Sequence, residues 1–186
     1  MRDARTKDAD WERQRDQGER HEDLFMALSN RLGHTSLRIG THHYVDAGGV
    51  RVCRPDIQVV GPRGPVAVEV KYEHTVSWDI YGHVFGFSVE GKRSEDYRIY
   101  GDYFQIPVKL VLAVESGEPT EVDRARARKY RQPPPPDAYP TGVYQAPIHH
   151  LIDTRRKKNE STKSGAWYWF HLDEMDRMGD YSILEA

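Results

Sequence analysis

The chain has 186 residues, 30% of them charged and 38% hydrophobic, with a formal net charge of -2. That length supports one domain with a real core, or one domain plus an appendage. No run approaches the ~20 apolar residues of a membrane span, and the charged opening Met1-Arg2-Asp3-Ala4-Arg5 lacks the apolar segment of a secretory leader. Cys53 is the only cysteine, which excludes a disulfide framework and a Cys-rich zinc site and makes a reducing cytoplasm the expected compartment. The near-neutral charge counts mildly against a protein that grips many phosphates. Two local basic clusters soften this: Arg124, Arg126, Arg128, Lys129 and Arg131, then Arg155, Arg156, Lys157 and Lys158, followed by Lys163.

Residues 1–17 read as a frayed or extended helical lead-in. A helix is expected over 16–32, where Phe25, Leu28 and Leu32 recur at helical spacing with Leu24 beside them. Glu22 lies on the edge of that stripe, and Gly33 ends the helix. As a residue on its own, Glu22 is equally an ordinary carboxylate near a helix N-terminus. A strand is expected over 37–45, a hairpin turn over 46–49, and a second strand from Val50 to about Val60. Pro55 inside it marks an edge or a bulge. The stretch Gly61-Pro62-Arg63-Gly64-Pro65 is a turn, and a strand follows over 66–72.

Residues 72–93 carry Trp78, Tyr81, His83, Phe85 and Phe87 without a clean period. They read as a hairpin that packs its aromatics into the core, with a substrate-contacting loop as the other reading. Ser94 is expected to cap a helix over 95–106, stopped by Pro107, and 108–114 reads as a buried strand. Thr120 with Asp123 opens a helix to about Tyr130. Its arginines are either a solvated face or a track for a phosphate backbone. The run Pro133 to Pro136, with Pro140 and Pro147, reads as a stiff connector. Residues 149–152 are expected as a short strand, 154–164 as a polar loop, 166–172 as a strand and 173–174 as a last turn. This divides the chain into a core with its N-terminal helix (1–132), a Pro-rich connector (133–147) and a C-terminal extension packed on the core (148–186).

The chemistry concentrates in Arg54-Pro55-Asp56-Ile57 and Val68-Glu69-Val70-Lys71. Along a strand Glu69 and Lys71 share a face, about 7 Å apart at ~3.3 Å per residue. Antiparallel pairing across the turn brings Asp56 near Glu69. Clustered carboxylates repel unless a cation lies between them, and Mg²⁺ takes carboxylate oxygens while keeping several waters. A nearby Lys can orient water or stabilise a phosphoryl transition state. Glu-Val-Lys alone reads as a solvated strand face; with Pro-Asp on the partner strand the spacing favours catalysis. His42-His43 and His149-His150 do not chelate, because neighbours on a strand point to opposite faces. There is no Walker loop, dinucleotide fingerprint or Gly-x-Ser-x-Gly elbow.

Pro55-Asp56 followed by Glu69-Val70-Lys71 resembles the PD-(D/E)xK nuclease superfamily, and the flanking wording is closest to archaeal Holliday-junction resolvases. Gly18 and Glu22 fit the Glu which that branch carries on its first helix. The resemblance implies an α/β fold with a restriction-endonuclease-like core, a mixed central β-sheet of four to five strands flanked by helices. It implies a Mg²⁺-dependent endonuclease, with Mn²⁺ able to substitute, that hydrolyses DNA phosphodiester bonds, structure-specific like the resolvases and homodimeric. Asp56 and Glu69, helped by the Val70 carbonyl, would be metal ligands, Lys71 would position the attacking water, and Glu22 would support a metal directly or through water. Gln105 and Tyr103 are candidates for a further polar residue on the second helix. Arg54, Arg124, Arg128, Arg155 and Arg156 are expected nucleic-acid contacts. The motif leaves open restriction-type cleavage, an RNA substrate, and a non-catalytic nucleic-acid-binding protein that retains the fold.

Overall fold

The computed structural model describes residues 4–39, 43–161 and 165–186, with side chains over 12–39, 43–155 and 166–186. In chain order it contains α1 (Ala4–Arg31), β1 (Thr35–Arg38), β2 (Tyr44–Ala47), β3 (Val50–Cys53), β4 (Ile57–Gly61), β5 (Gly64–Glu73), β6 (Ser77–Asp79) and β7 (Val84–Glu90). There follow α2 (Gly91–Phe104), β8 (Val108–Val114), α3 (Glu121–Tyr130), β9 (Gly142–Pro147), α4 (Ile148–Thr154), β10 (Arg156–Ser161), β11 (Gly165–His171) and β12 (Asp176–Gly179).

The first helix begins twelve residues earlier than its apolar stripe predicts. Its lead-in is rich in Ala, Arg, Gln and Glu, which favour helix without needing a buried face. Gly33, at φ +81°, takes the left-handed conformation that turns the chain out of α1. The amides of Gly33 and His34 then cap the Asn30 and Ser29 carbonyls.

A six-stranded mixed sheet, in the order β1-β4-β5-β8-β9-β12, forms the centre. Only the β5–β8 pair is parallel. On one face, Phe25 and Leu28 of α1 pack on Ile57, Val68, Val70, Val111 and Val143, closed by Leu184. On the other, Leu110, Leu112, Tyr144 and Ala146 meet Phe87, Val89, Tyr168 and Phe170. Those last four belong to a second sheet, β10-β11-β7-β6, which the single-sheet expectation lacked. At its centre Gly86 pairs with His171, and a Cβ there would sit 2.3 Å from the Phe170 carbonyl oxygen. Tyr97 and Tyr100 of α2 bury against Ala67, Val108 and Val52.

Several expected elements differ. The expected strand over 37–45 is two strands, β1 and β2, with residues 40–42, including His42, outside the described residues. β2 and β3 form their own hairpin, apart from the main sheet. α2 starts at Gly91, so Ser94 is a buried helical residue whose Oγ donates to the Glu90 carbonyl. Gly142–Pro147, inside the expected Pro-rich connector, is β9, paired to β8 and β12. Residues 149–152 belong to α4, because Ile148, Leu151 and Ile152 are all buried at helical spacing. Most of the expected polar loop is β10, while Lys163 lies outside the described residues.

α3 is tied down by one buried carboxylate. Asp123 accepts the Tyr139 hydroxyl at 3.0 Å and the Trp78 amide at 3.3 Å, and its own amide donates to Thr120 Oγ1. Asp123→Ala leaves two buried donors without an acceptor. It should lower unfolding free energy by about 2–3 kcal/mol in chemical denaturation, and an unchanged midpoint would refute that role.

Candidate active site

The site follows from the register of the β4–β5 hairpin. Ile57 pairs with Val68 across a short turn closed by Gly61 and Gly64. Asp56, in the bend one residue before β4, is therefore opposite Glu69. Pro55 cannot donate to a ladder, so β3 stops at Cys53 and β4 restarts at Ile57 in a different sheet. The same alternation points Glu69, Lys71 and Glu73 away from α1, beside Leu110, Leu112 and Val114 of β8.

Burial of this corner shapes its electrostatics. Glu69 is pushed well above the ordinary carboxylate range, first by desolvation and then by the charge of Asp56. Asp56 is also raised by desolvation, opposed by a hydrogen bond from Glu69, the Val70 amide and the charge of Arg93. Both carboxyls are thus shifted toward the protonated form, Glu69 the more strongly. Oε2 of Glu69 is sealed from solvent and has no hydrogen-bond partner among the described residues. The Val70 amide lies beside the Asp56 carboxyl and opposes its upward shift.

Glu22 is present but engaged. It sits near enough to Asp56 to feel its charge, and burial with that charge lifts its pKa to about 7. Its carboxylate is paired to Arg38, which also binds Asp23 at 2.8 Å and the Glu19 carbonyl at 3.2 Å. Glu22 therefore does not close a cage around the other two carboxylates. Among the described residues no three Asp, Glu, His or Cys groups converge as a metal site. Two carboxylates with an unsatisfied oxygen still suit a hard ion that keeps most of its waters.

Lys71 lines a cleft of about 660 Å³ with Glu69, Glu73, Arg93, Trp167 and, from α1, Gln17. Its Nζ lies 3.2 Å from Glu73 Oε1. Four groups here were not singled out from the sequence: Glu73, Arg38, Arg93 and Tyr97. Alternation along β5 could have found Glu73. Tyr97 is buried with its hydroxyl turned to Glu69, and Arg93 acts on Tyr97, Asp56 and Glu69. Tyr97 takes the place considered for Tyr103 and Gln105, which are exposed at the far end of α2.

The expected nucleic-acid contacts are divided among several elements. Arg124 and Arg128 are exposed on α3, both paired to Glu121. Arg54 is half-buried, and its amide donates to the His43 carbonyl. Arg155 is taken up structurally: it binds the Ile152 carbonyl, approaches Glu95 at 3.5 Å and lies 4.5 Å over the Tyr168 ring. The Arg156 side chain lies outside the described residues.

This architecture, a mixed sheet flanked by helices with the paired carboxylates at one hairpin, is a restriction-endonuclease-like fold. The chain is similar to the solved structure of Archaeoglobus fulgidus Hjc, a Holliday junction resolvase from an archaeal hyperthermophile. The TM-score is 0.51 at 10% identity, over 87% of this chain and 92% of that one. No protein-family description matches the sequence, and no curated protein matches it.

The raised carboxyls give a signed pH dependence. Without a cation, the folded protein holds protons that the unfolded chain releases above the ordinary carboxylate range: burial lifts Glu22 to about 7 and raises Asp56 and Glu69 in the same direction. Stability should therefore fall as pH rises through that window. In EDTA, Asp56→Asn should be more stable than the parent at pH 8 by about 1 kcal/mol or more, and not at pH 5. Parallel stability profiles in urea titrations across that range would refute the assignment.

Proposed function

We propose that the protein is a divalent-metal-dependent endonuclease that hydrolyses phosphodiester bonds in DNA, with branched duplex as its preferred substrate. One observation carries the reading: Asp56 faces Glu69 in a buried corner, with Glu69 Oε2 unsatisfied. Such a pair destabilises the fold unless it binds something, and its oxygens match Mg²⁺ or Mn²⁺. Asp56, Glu69 and the Val70 carbonyl would hold the ion, with Glu22 supporting it through water. When bound, the ion supplies positive charge beside a phosphoryl oxygen and raises the acidity of water.

The chain's own residues do the rest. Lys71 faces the cleft, and its ammonium binds a phosphate oxygen and orients the attacking water, leaving Glu73 as it does so. Tyr97 and Arg93 hold Glu69 in place. Arg38 fixes the Glu22 side chain at the edge of the site. Arg124 and Arg128 on α3, and Arg54, follow the DNA backbone. The preference for a branched substrate and a two-fold assembly rest on the fold shared with the resolvase and on the motif wording.

The test is cleavage of supercoiled plasmid, linear duplex, single strand, RNA and a four-way junction with Mg²⁺, Mn²⁺ or EDTA. Asp56→Ala and Lys71→Ala should each lower the rate by at least about a hundredfold. Glu22→Gln should cost less, about tenfold. Wild-type cleavage by both of the first two variants would overturn the site. No cleavage of any substrate, with junction binding retained, would favour a non-catalytic binding protein.

Cation binding should also be visible without catalysis. A group must release its proton to ligate, so Mg²⁺ should raise the melting temperature more at pH 8 than at pH 5.5. Asp56→Asn should abolish that gain. A gain of equal size at both pH values, or one that survives in the variant, would refute ligation by this pair.

A further inference from the structure

We propose that the tip of the β6–β7 hairpin and the C-terminal end of α3 form a stacking platform for unpaired bases of single-stranded nucleic acid. This deepens the nuclease reading, on which its placement along a substrate rests.

Tyr81 at the hairpin tip is 66% exposed, and Tyr130 at the end of α3 is 47% exposed. Their ring centroids are 6.3 Å apart, tilted by 56°. The two elements meet far apart in sequence, yet neither ring is used to close the core. Lys129 Nζ lies 5.0 Å over the Tyr130 ring. Residues 120–131 carry five cations against Glu121 and Asp123. Arg124 and Arg128 are answered by Glu121 and Arg126 approaches Asp123, whereas Lys129 and Arg131 have no ion-pair partner among the described residues. Two exposed rings beside uncompensated cations are what a single strand needs: a π-face for each base and positive charge for the backbone.

The platform is held rigid. The Tyr81 amide donates to Asp79 Oδ1 at 2.9 Å, and the His83 amide to the Asp79 carbonyl at 2.9 Å. Asp123 of α3 accepts from the Trp78 amide, so helix and hairpin move together. A fixed backbone under the two rings lowers the ordering cost of binding a base. β7 also sets the distance to the cleavage site. Glu90, at one end, lines the cleft with Lys71, and Val84, six residues back, begins the strand. At ~3.3 Å per residue this is about 20 Å, or about six nucleotides at the ~3.4 Å rise of a stacked strand. The platform therefore suits a substrate with an unpaired segment near that distance from the scissile phosphate.

Fluorescence anisotropy in EDTA tests this without cleavage. The probes are labelled oligo-dT and oligo-U of twenty nucleotides and a twenty-base-pair duplex. Tyr81→Ala with Tyr130→Ala should weaken oligo-dT binding by about tenfold or more and leave duplex binding nearly unchanged. Tyr81→Phe with Tyr130→Phe should retain binding, which separates stacking from misfolding. Lys129→Gln with Arg131→Gln should lower the salt dependence of binding. Binding of oligo-U alongside oligo-dT supports stacking, since every base offers a ring face. No single-strand binding by the parent, or equal loss on duplex and single strand in the alanine variant, overturns the platform. Because this readout is binding, inactivity of the protein as a nuclease would appear only in the cleavage assay.

Discussion

Burying Asp56 against Glu69 sets two like charges together where water cannot screen them. The fold meets that constraint by favouring the protonated form: burial and mutual charge raise Glu69 well above the ordinary carboxylate range, and burial raises Asp56, with the Val70 amide beside it opposing the shift. Everything around the pair reads as support. α2 brings Tyr97 and Arg93 over Glu69, and β8 backs β5 in parallel, so a rigid floor lies under the carboxylates. On the opposite side of the sheet α1 packs on Val68 and Val70, which locks the strand that carries Glu69 and Lys71.

The second sheet converts that corner into a cleft. β7 runs directly into α2, so Val89, Glu90 and Arg93 form one wall opposite Lys71, with Trp167 of β11 beside them. α1 contributes Gln17 and Gly18 to the rim and holds Glu22 nearby through Arg38. Both β1 and α1 are needed for that last contact, because Arg38 is on the edge strand and Glu22 on the helix. A partly exposed ion pair of this kind, with Glu22 desolvated, adds little net stability. Its value is in fixing where Glu22 points.

The pair of carboxylates was legible in the sequence because the information is local. A four-residue turn and strict alternation set the β4–β5 register, and the residues to be paired lie thirteen positions apart. The rest depends on contacts between distant segments. β7 and β11 are separated by some eighty residues and find each other only in the folded chain, so the second sheet left no periodic trace. Ser94 resembled a helix cap, but its hydroxyl bonds back to Glu90 inside the helix. Ile148, Leu151 and Ile152 carry a helical period that two adjacent histidines obscured. Prolines at 133–136 masked the start of β9 a few residues on. Tyr97 is one of several aromatics along α2; only the fold shows that it is buried with its hydroxyl turned to Glu69.

The residues proposed for catalysis are also those that strain the native state, and this bears on what the fold was shaped to do. A chain selected only for stability would replace Asp56 or Glu69 by an apolar group of similar size, since a buried ionisable pair is often neutral or unfavourable compared with good packing. Here the opposite arrangement is built with care. Glu22 is raised toward neutrality and still clamped by Arg38, and Glu69 keeps an oxygen without a partner. Lys71 is left half-exposed in the cleft, with Glu73 as its ion-pair partner among the described residues. Each departure would relax if, as proposed, positive charge entered the corner and a phosphate replaced Glu73 at Lys71. On the proposed function, a cation and a nucleic acid would relieve the same unfavourable terms that the fold retains.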